Sequence, residues 1–148
     1  MEITHADLEL IVRLGAAAVL GGLIGFEREL HGKVAGFRTY SLVALGSALI
    51  MLVSIHIFEV YKGITSVDPS RIAAQVISGI GFLGAGTIIR SGTSIKGLTT
   101  AAGLWTASGI GLACGLGYFR AAFFATVITI FVLVAFSWVG RRLGARDV

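Results

Sequence analysis

With 148 residues, of which 55% are hydrophobic and only 14% charged, the chain is too apolar to form the wet surface a soluble domain of its size requires. Its length allows one compact bundle over residues 1–148 and no second domain. The net charge of +4 rests on basic residues gathered in short breaks between apolar stretches, so membrane topology accounts for it and no nucleic-acid partner is implied.

Five apolar stretches, residues 8–26, 39–58, 72–89, 98–117 and 121–139, each approach the roughly 20 residues needed to cross a hydrocarbon core. Four are continuously apolar rather than striped, as expected of helices surrounded by lipid and by one another. The predicted fold is all-α, a polytopic transmembrane bundle of five helices. A cleavable signal peptide is not expected, because Glu2, Asp7 and Glu9 stand where Lys or Arg would.

The first helix carries Glu9 and Arg13 one turn apart, readable as an ion pair at a membrane boundary or as a functional polar contact. Ala17, Gly21 and Gly25 continue that stripe and offer a surface another backbone can approach. Below it, Glu27-Arg28-Glu29, His31, Lys33 and Arg38 make a dense polar loop. Glu27 and Glu29 are candidate ligands for a hydrated Mg²⁺, which prefers one or two carboxylates and keeps several waters. Topological anchoring and salt bridges explain the same loop without a metal. Arg90 and Lys96, in the break before the fourth helix, are the natural ion-pair partners for the two glutamates.

Asp68-Pro69 opens the third helix with a capping carboxylate followed by proline at the first helical position. An external cation or partner contact at Asp68 and Arg71 is the alternative. Gln75, one turn further on, is an interhelical hydrogen-bond candidate. Gly79-Ile80-Gly81-Phe82-Leu83-Gly84 satisfies the G-x-G-x-x-G pattern but lacks the strand and βαβ setting of a dinucleotide site. With Gly86 it leaves a helix surface nearly bare, suited to close packing at Gly81 and Gly84 or to local unwinding. In the fourth helix Gly103, Ala107, Gly111 and Gly115 recur every four residues on one face. Cys114 there reads as a small packing residue.

Loops rich in Lys and Arg are retained on the cytoplasmic side of a membrane, while Asp and Glu contribute little. Five crossings place Arg28, Lys33, Arg38, Arg90, Lys96, Arg141, Arg142 and Arg146 on one side, with Lys62, Arg71 and Arg120 on the other. The expected orientation has the N-terminus outside and the C-terminus in the cytoplasm. G-x-S-x-G, H-E-x-x-H and P-loop motifs are absent, and His5, His31 and His56 lie in separate segments, so a non-enzymatic role is expected.

Taken in order, Gly21 to Glu29, Gly32-Lys33-Val34-Ala35-Gly36-Phe37-Arg38-Thr39, Asp68 to Gln75, Gly79 to Gly86 and Gly97-Leu98-Thr99-Thr100-Ala101-Ala102 closely resemble the membrane domain of the MgtC/SapB family. The resemblance covers about residues 8–140. It implies a bacterial inner-membrane protein associated with growth at low magnesium and, in pathogens, with survival inside host cells. Some members restrain the F-type ATP synthase, which makes that complex a candidate partner. Many members carry a soluble C-terminal domain, which the sequence here is expected to lack. The family's polar motif positions fall on Glu27, Arg28, Glu29, Arg38, Asp68, Arg71 and Gln75.

Two functions fit these features. The first is a regulator that binds another membrane protein through close-packed helix faces, with a homodimer as the preferred assembly. The second is a small transporter or binder of Mg²⁺ or another ion, with Glu27 and Glu29 at one mouth and Asp68 and Arg71 at the other. A purely structural membrane protein is a third reading.

Overall fold

The computed structural model describes residues 4–142, so Arg146, one of the basic residues used to orient the chain, lies outside them. The described residues form five helices and one short hairpin: α1 His5–Leu30, α2 Phe37–Tyr61, α3 Ser70–Thr87, β1 Ile89–Ser91, β2 Ser94–Lys96, α4 Leu98–Gly115 and α5 Phe119–Arg142. Three helices, α1, α2 and α5 over Phe119–Val139, are long and apolar enough to cross a membrane. Large side chains such as Phe82, Phe131 and Phe136 stand exposed around the bundle, as expected of surfaces solvated by lipid.

α4 packs against all four other helices, so small residues serve it better than large ones. Its Gly103, Gly111 and Gly115 lie against α2. A Cβ on Gly103 would strike the Tyr40 hydroxyl, one on Gly111 would strike the Ala44 carbonyl, and one on Gly115 would lie 2.5 Å from the Ala48 carbonyl oxygen. Ala107, on the same stripe, is fully buried. α1 approaches α2 in the same way: a Cβ on Gly21 would sit 2.6 Å from the Tyr40 carbonyl oxygen, and one on Gly25 would sit 2.7 Å from that of Gly36. The α2 ridge of Tyr40, Ala44 and Ala48 is thus held in contact with glycine stripes from α1 and α4. Van der Waals contact of this kind holds helices together where lipid supplies no hydrophobic drive between them.

These stripes are therefore occupied within one chain, not free to be shared between copies. Gly81 departs from the packing expected of it, because no packing neighbour among the described residues lies within 4 Å of the Cβ it would carry, whereas Gly84 has ordinary contact with Ala101 at 3.5 Å. The G-x-G-x-x-G segment is continuous helix, without local unwinding.

The third helix starts one residue later than the sequence suggests, with Pro69 as its N-cap and Asp68 just before it. It ends at Thr87, two residues before the sequence boundary. Ile88 is extended, and Ile89 to Lys96 form an antiparallel hairpin in which Ile89 pairs with Lys96 and Ser91 with Ser94. Gly92, at φ +61°, opens its two-residue turn, where a left-handed backbone favours glycine. The hairpin returns the chain to Gly97, the N-cap of α4 at φ +92°, whose Cβ would overlap the Thr87 carbonyl.

Short connections make the helices run alternately up and down. The end of α1, start of α2, end of α3, the hairpin and the start of α4 share one end of the bundle, here termed the hairpin end. At the opposite end, Arg13 forms its ion pair with Glu9 and also donates to the Gly115 carbonyl at 2.7 Å. That contact satisfies a carbonyl left open where α4 stops, at the negative end of its dipole. Ser54 of α2 donates to the Pro69 carbonyl before α3. Other buried Ser and Thr hydroxyls return to their own helices, as Ser47 does to Val43 and Thr126 to Ala122.

Candidate functional site

At the hairpin end, the last turns of α1 direct three consecutive charged side chains to three different places. A helix turns about 100° per residue, so alternate residues face nearly opposite directions. Glu29 points to the start of α2, where its Oε2 accepts the Phe37 backbone N–H at 2.8 Å. Gly36, the N-cap of α2, has no side chain to do this, so a carboxylate from the preceding helix satisfies the open amide and complements the dipole.

Glu27 turns inward and is 8% exposed. Its Oε1 lies 3.0 Å from His31 Nδ1 and its Oε2 lies 3.7 Å from Arg28 Nη1. Oε2 is buried without a hydrogen-bond partner among the described residues. Arg28 is 5% exposed and reaches α4, where Nη2 donates to Thr100 Oγ1 at 3.4 Å. The fully buried Tyr40 closes the cluster from α2, its hydroxyl donating to the Thr100 carbonyl at 3.3 Å. Glu27, Arg28, Tyr40 and Thr100 thus link three helices through one buried polar group. Such a group fixes relative helix positions, because each member carries a desolvation cost unless the others are in place.

The two glutamates expected to share a Mg²⁺ therefore do not converge: one faces Arg28 and His31, the other caps α2. Arg90 and Lys96 are not their ion-pair partners either. Arg90 Nε donates to the Gly92 carbonyl at 3.2 Å within its own hairpin, and Lys96 forms no salt bridge among the described residues. The described residues contain no cluster of three His, Cys, Asp or Glu side chains able to hold a metal. Arg38 is exposed in the first turn of α2.

The remaining candidates lie elsewhere. Asp68 and Arg71 sit at the opposite end, both exposed. Asp68 Oδ1 accepts the Ser70 backbone N–H at 2.8 Å, and hydrogen bonding with Ser70 holds its carboxyl below the usual value. Gln75 lines an apolar groove of about 730 Å³ between α2 and α3, bordered by Leu42, Gly46, Ile50, Gly79 and Leu83. Hence the expected polar positions divide among two ends and a groove.

Sequence reasoning missed Tyr40 and Thr100 as members of the cluster. Thr100 stood within a family-like motif, and Tyr40 is the large polar residue that both glycine stripes accommodate.

Residues 14–142 match the MgtC family. The chain is 45% identical over 137 residues to YhiD of Escherichia coli K12, a protein named provisionally as a magnesium transporter, covering 91% of the chain and 64% of that protein. It is 43% identical to SapB of Bacillus subtilis, covering 95% of the chain and 62% of SapB. With MgtC of Salmonella choleraesuis it shares 47% identity, covering 93% and 57%. The chain thus spans somewhat less than two thirds of the length of these relatives. No solved structure matches it. Similarity of this order along nearly the whole chain, together with the helical membrane architecture, makes the chain a member of the MgtC family.

Proposed function

We propose that the protein is a non-enzymatic regulator of the bacterial inner membrane that acts in adaptation to low magnesium by docking against a transmembrane segment of another membrane protein. In this reading it spans the membrane five times, with its N-terminus outside and the hairpin end facing the cytoplasm. The observation that carries it is the α2–α3 groove. Its walls are mostly apolar, Gln75 offers an amide for an interhelical hydrogen bond, and among the described residues no packing neighbour lies within 4 Å of where a Cβ on Gly46 or Gly79 would stand. A helix of a partner protein could approach there without displacing any part of this chain. The F-type ATP synthase, implied by the family resemblance, is the first partner to test.

A photo-crosslinking residue at Leu42 or Leu83 is expected to capture ATP synthase subunits in native membranes. Gly79→Leu should reduce that capture at least tenfold by filling the groove while leaving the fold intact. Adducts with a second copy of this chain alone, or capture unaffected by Gly79→Leu, would overturn the docking proposal.

Mg²⁺ transport is the second reading, favoured by the buried Glu27 Oε2, which has no hydrogen-bond partner among the described residues, and by the name given to YhiD. Mg²⁺ would then be cargo, met by Glu27 with water completing its shell. Purified protein in liposomes loaded with a Mg²⁺ indicator should give flux that Glu27→Gln abolishes. Absence of flux from correctly inserted protein would remove this reading.

A further inference from the structure

At the hairpin end a second cleft, of about 550 Å³, opens between the α1–α2 loop, the start of α4 and the end of α5. Among the described residues, every charged residue lining it is basic: Arg28, Lys33 and Lys96. Arg28 is 5% exposed, and its Nε has no hydrogen-bond partner among the described residues. Lys33 and Lys96 form no salt bridge among the described residues. The cleft also meets the N-terminus of α4, an 18-residue helix with no side-chain cap, so its first amides add a positive dipole end. Glu27 offsets part of the Arg28 charge, but His31 holds one of its oxygens and it does not line the cleft.

The opposite wall is of another kind. Val132, Leu133 and Phe136 of α5 line it, with Phe136 66% exposed on the outside of the bundle. A basic floor beside an apolar wall open to the bilayer matches a molecule with an anionic head and a hydrocarbon tail. Basic pockets between membrane helices recognise phospholipid head groups by this combination.

We propose that this cleft is a binding site for an anionic phospholipid, its phosphate held by Arg28, Lys33, Lys96 and the α4 N-terminus and one acyl chain lying along α5. The site is separate from the α2–α3 groove and does not depend on which protein docks there. It ties the position of the hairpin end to the charge of the surrounding leaflet, because Arg28 belongs both to the cleft and to the buried cluster joining α1 to α4.

The test is native mass spectrometry of the purified chain in detergent with added phosphatidylglycerol, phosphatidylcholine or inorganic phosphate. Arg28 is unsuited as the first variant because its loss disturbs the core, whereas Lys96 is exposed and Lys33 only half-buried. Phosphatidylglycerol is expected to remain bound in preference to phosphatidylcholine. The double variant Lys33→Gln, Lys96→Gln should weaken it about tenfold or more, with the unfolding temperature in lipid-free detergent unchanged. Equal retention of both lipids, or undiminished binding by the double variant, would overturn the proposal. Inorganic phosphate binding as tightly as phosphatidylglycerol would overturn the assignment to lipid.

Discussion

Replacing Gly111 by leucine should unfold the bundle or prevent its stable assembly. Even the first carbon of the new side chain would overlap the Ala44 carbonyl and stand 2.8 Å from Ser47 Cβ. The Ala44 carbonyl belongs to the backbone of α2, which is itself held against α1 by Gly21 and Gly25, so neither helix can retreat without losing the other contact. Overpacking usually costs about 1–3 kcal/mol where side chains can shift. With backbone as the obstacle, a loss of about 3 kcal/mol or more is expected, read as a lower unfolding midpoint in detergent and faster proteolysis. Gly79→Leu is the matched control, since no packing neighbour among the described residues lies within 4 Å of its Cβ position and the same added volume should leave the midpoint nearly unchanged. Equal stability of the two variants would show that α4 does not approach α2 as closely as described.

The glycine stripes also mark the limit of what the sequence discloses. Spacing of four identifies Gly103, Ala107, Gly111 and Gly115 as one face, but a bare face states only that some backbone can approach it. That the partner is α2, already approached from α1, depends on the placement of whole helices. Replacing Gly111 or Gly115 therefore probes the fold of this chain before it probes any partner. Gly81 shows the converse: a glycine in the same kind of pattern faces open space.

Helix existence was legible because long apolar runs have few alternatives in a membrane, and each of the five runs lies largely within a helix. The hairpin was not, because Ile88 and Ile89 extend the apolar run past the point where α3 stops. Their β-branched pair, followed by Ser91-Gly92-Thr93-Ser94, is the local signal of a strand and tight turn. Glu29 was legible as a charge but not as a cap, since it serves a helix beginning eight residues later and its role requires the intervening turn. Charge counting grouped Glu27, Arg28 and Glu29 correctly at one end of the bundle. It could not distinguish the directions in which three successive helical residues point.

Those directions make Arg28 the second site of large effect. Arg28→Met should destabilise the protein by about 3–5 kcal/mol, because removing one member of a buried ion pair leaves the other charge uncompensated. Arg28 and Glu27 are 5% and 8% exposed, and Glu27 Oε2 lacks a hydrogen bond among the described residues even with the guanidinium 3.7 Å away. Loss of Arg28 also removes the donor to Thr100, one of the polar contacts between α1 and α4. If charge compensation dominates, Glu27→Gln combined with Arg28→Met should recover most of the lost stability, because a neutral amide no longer demands a cation. Unfolding midpoints of the wild type, both single variants and the double variant measure the coupling directly. A stable Arg28→Met protein, or a double variant no better than that single one, would mean that Glu27 is balanced by His31 or by water instead. Recovery in the double variant would place the stabilising role of Arg28 in its charge on Glu27, leaving its remaining Nε–H for whatever enters the cleft.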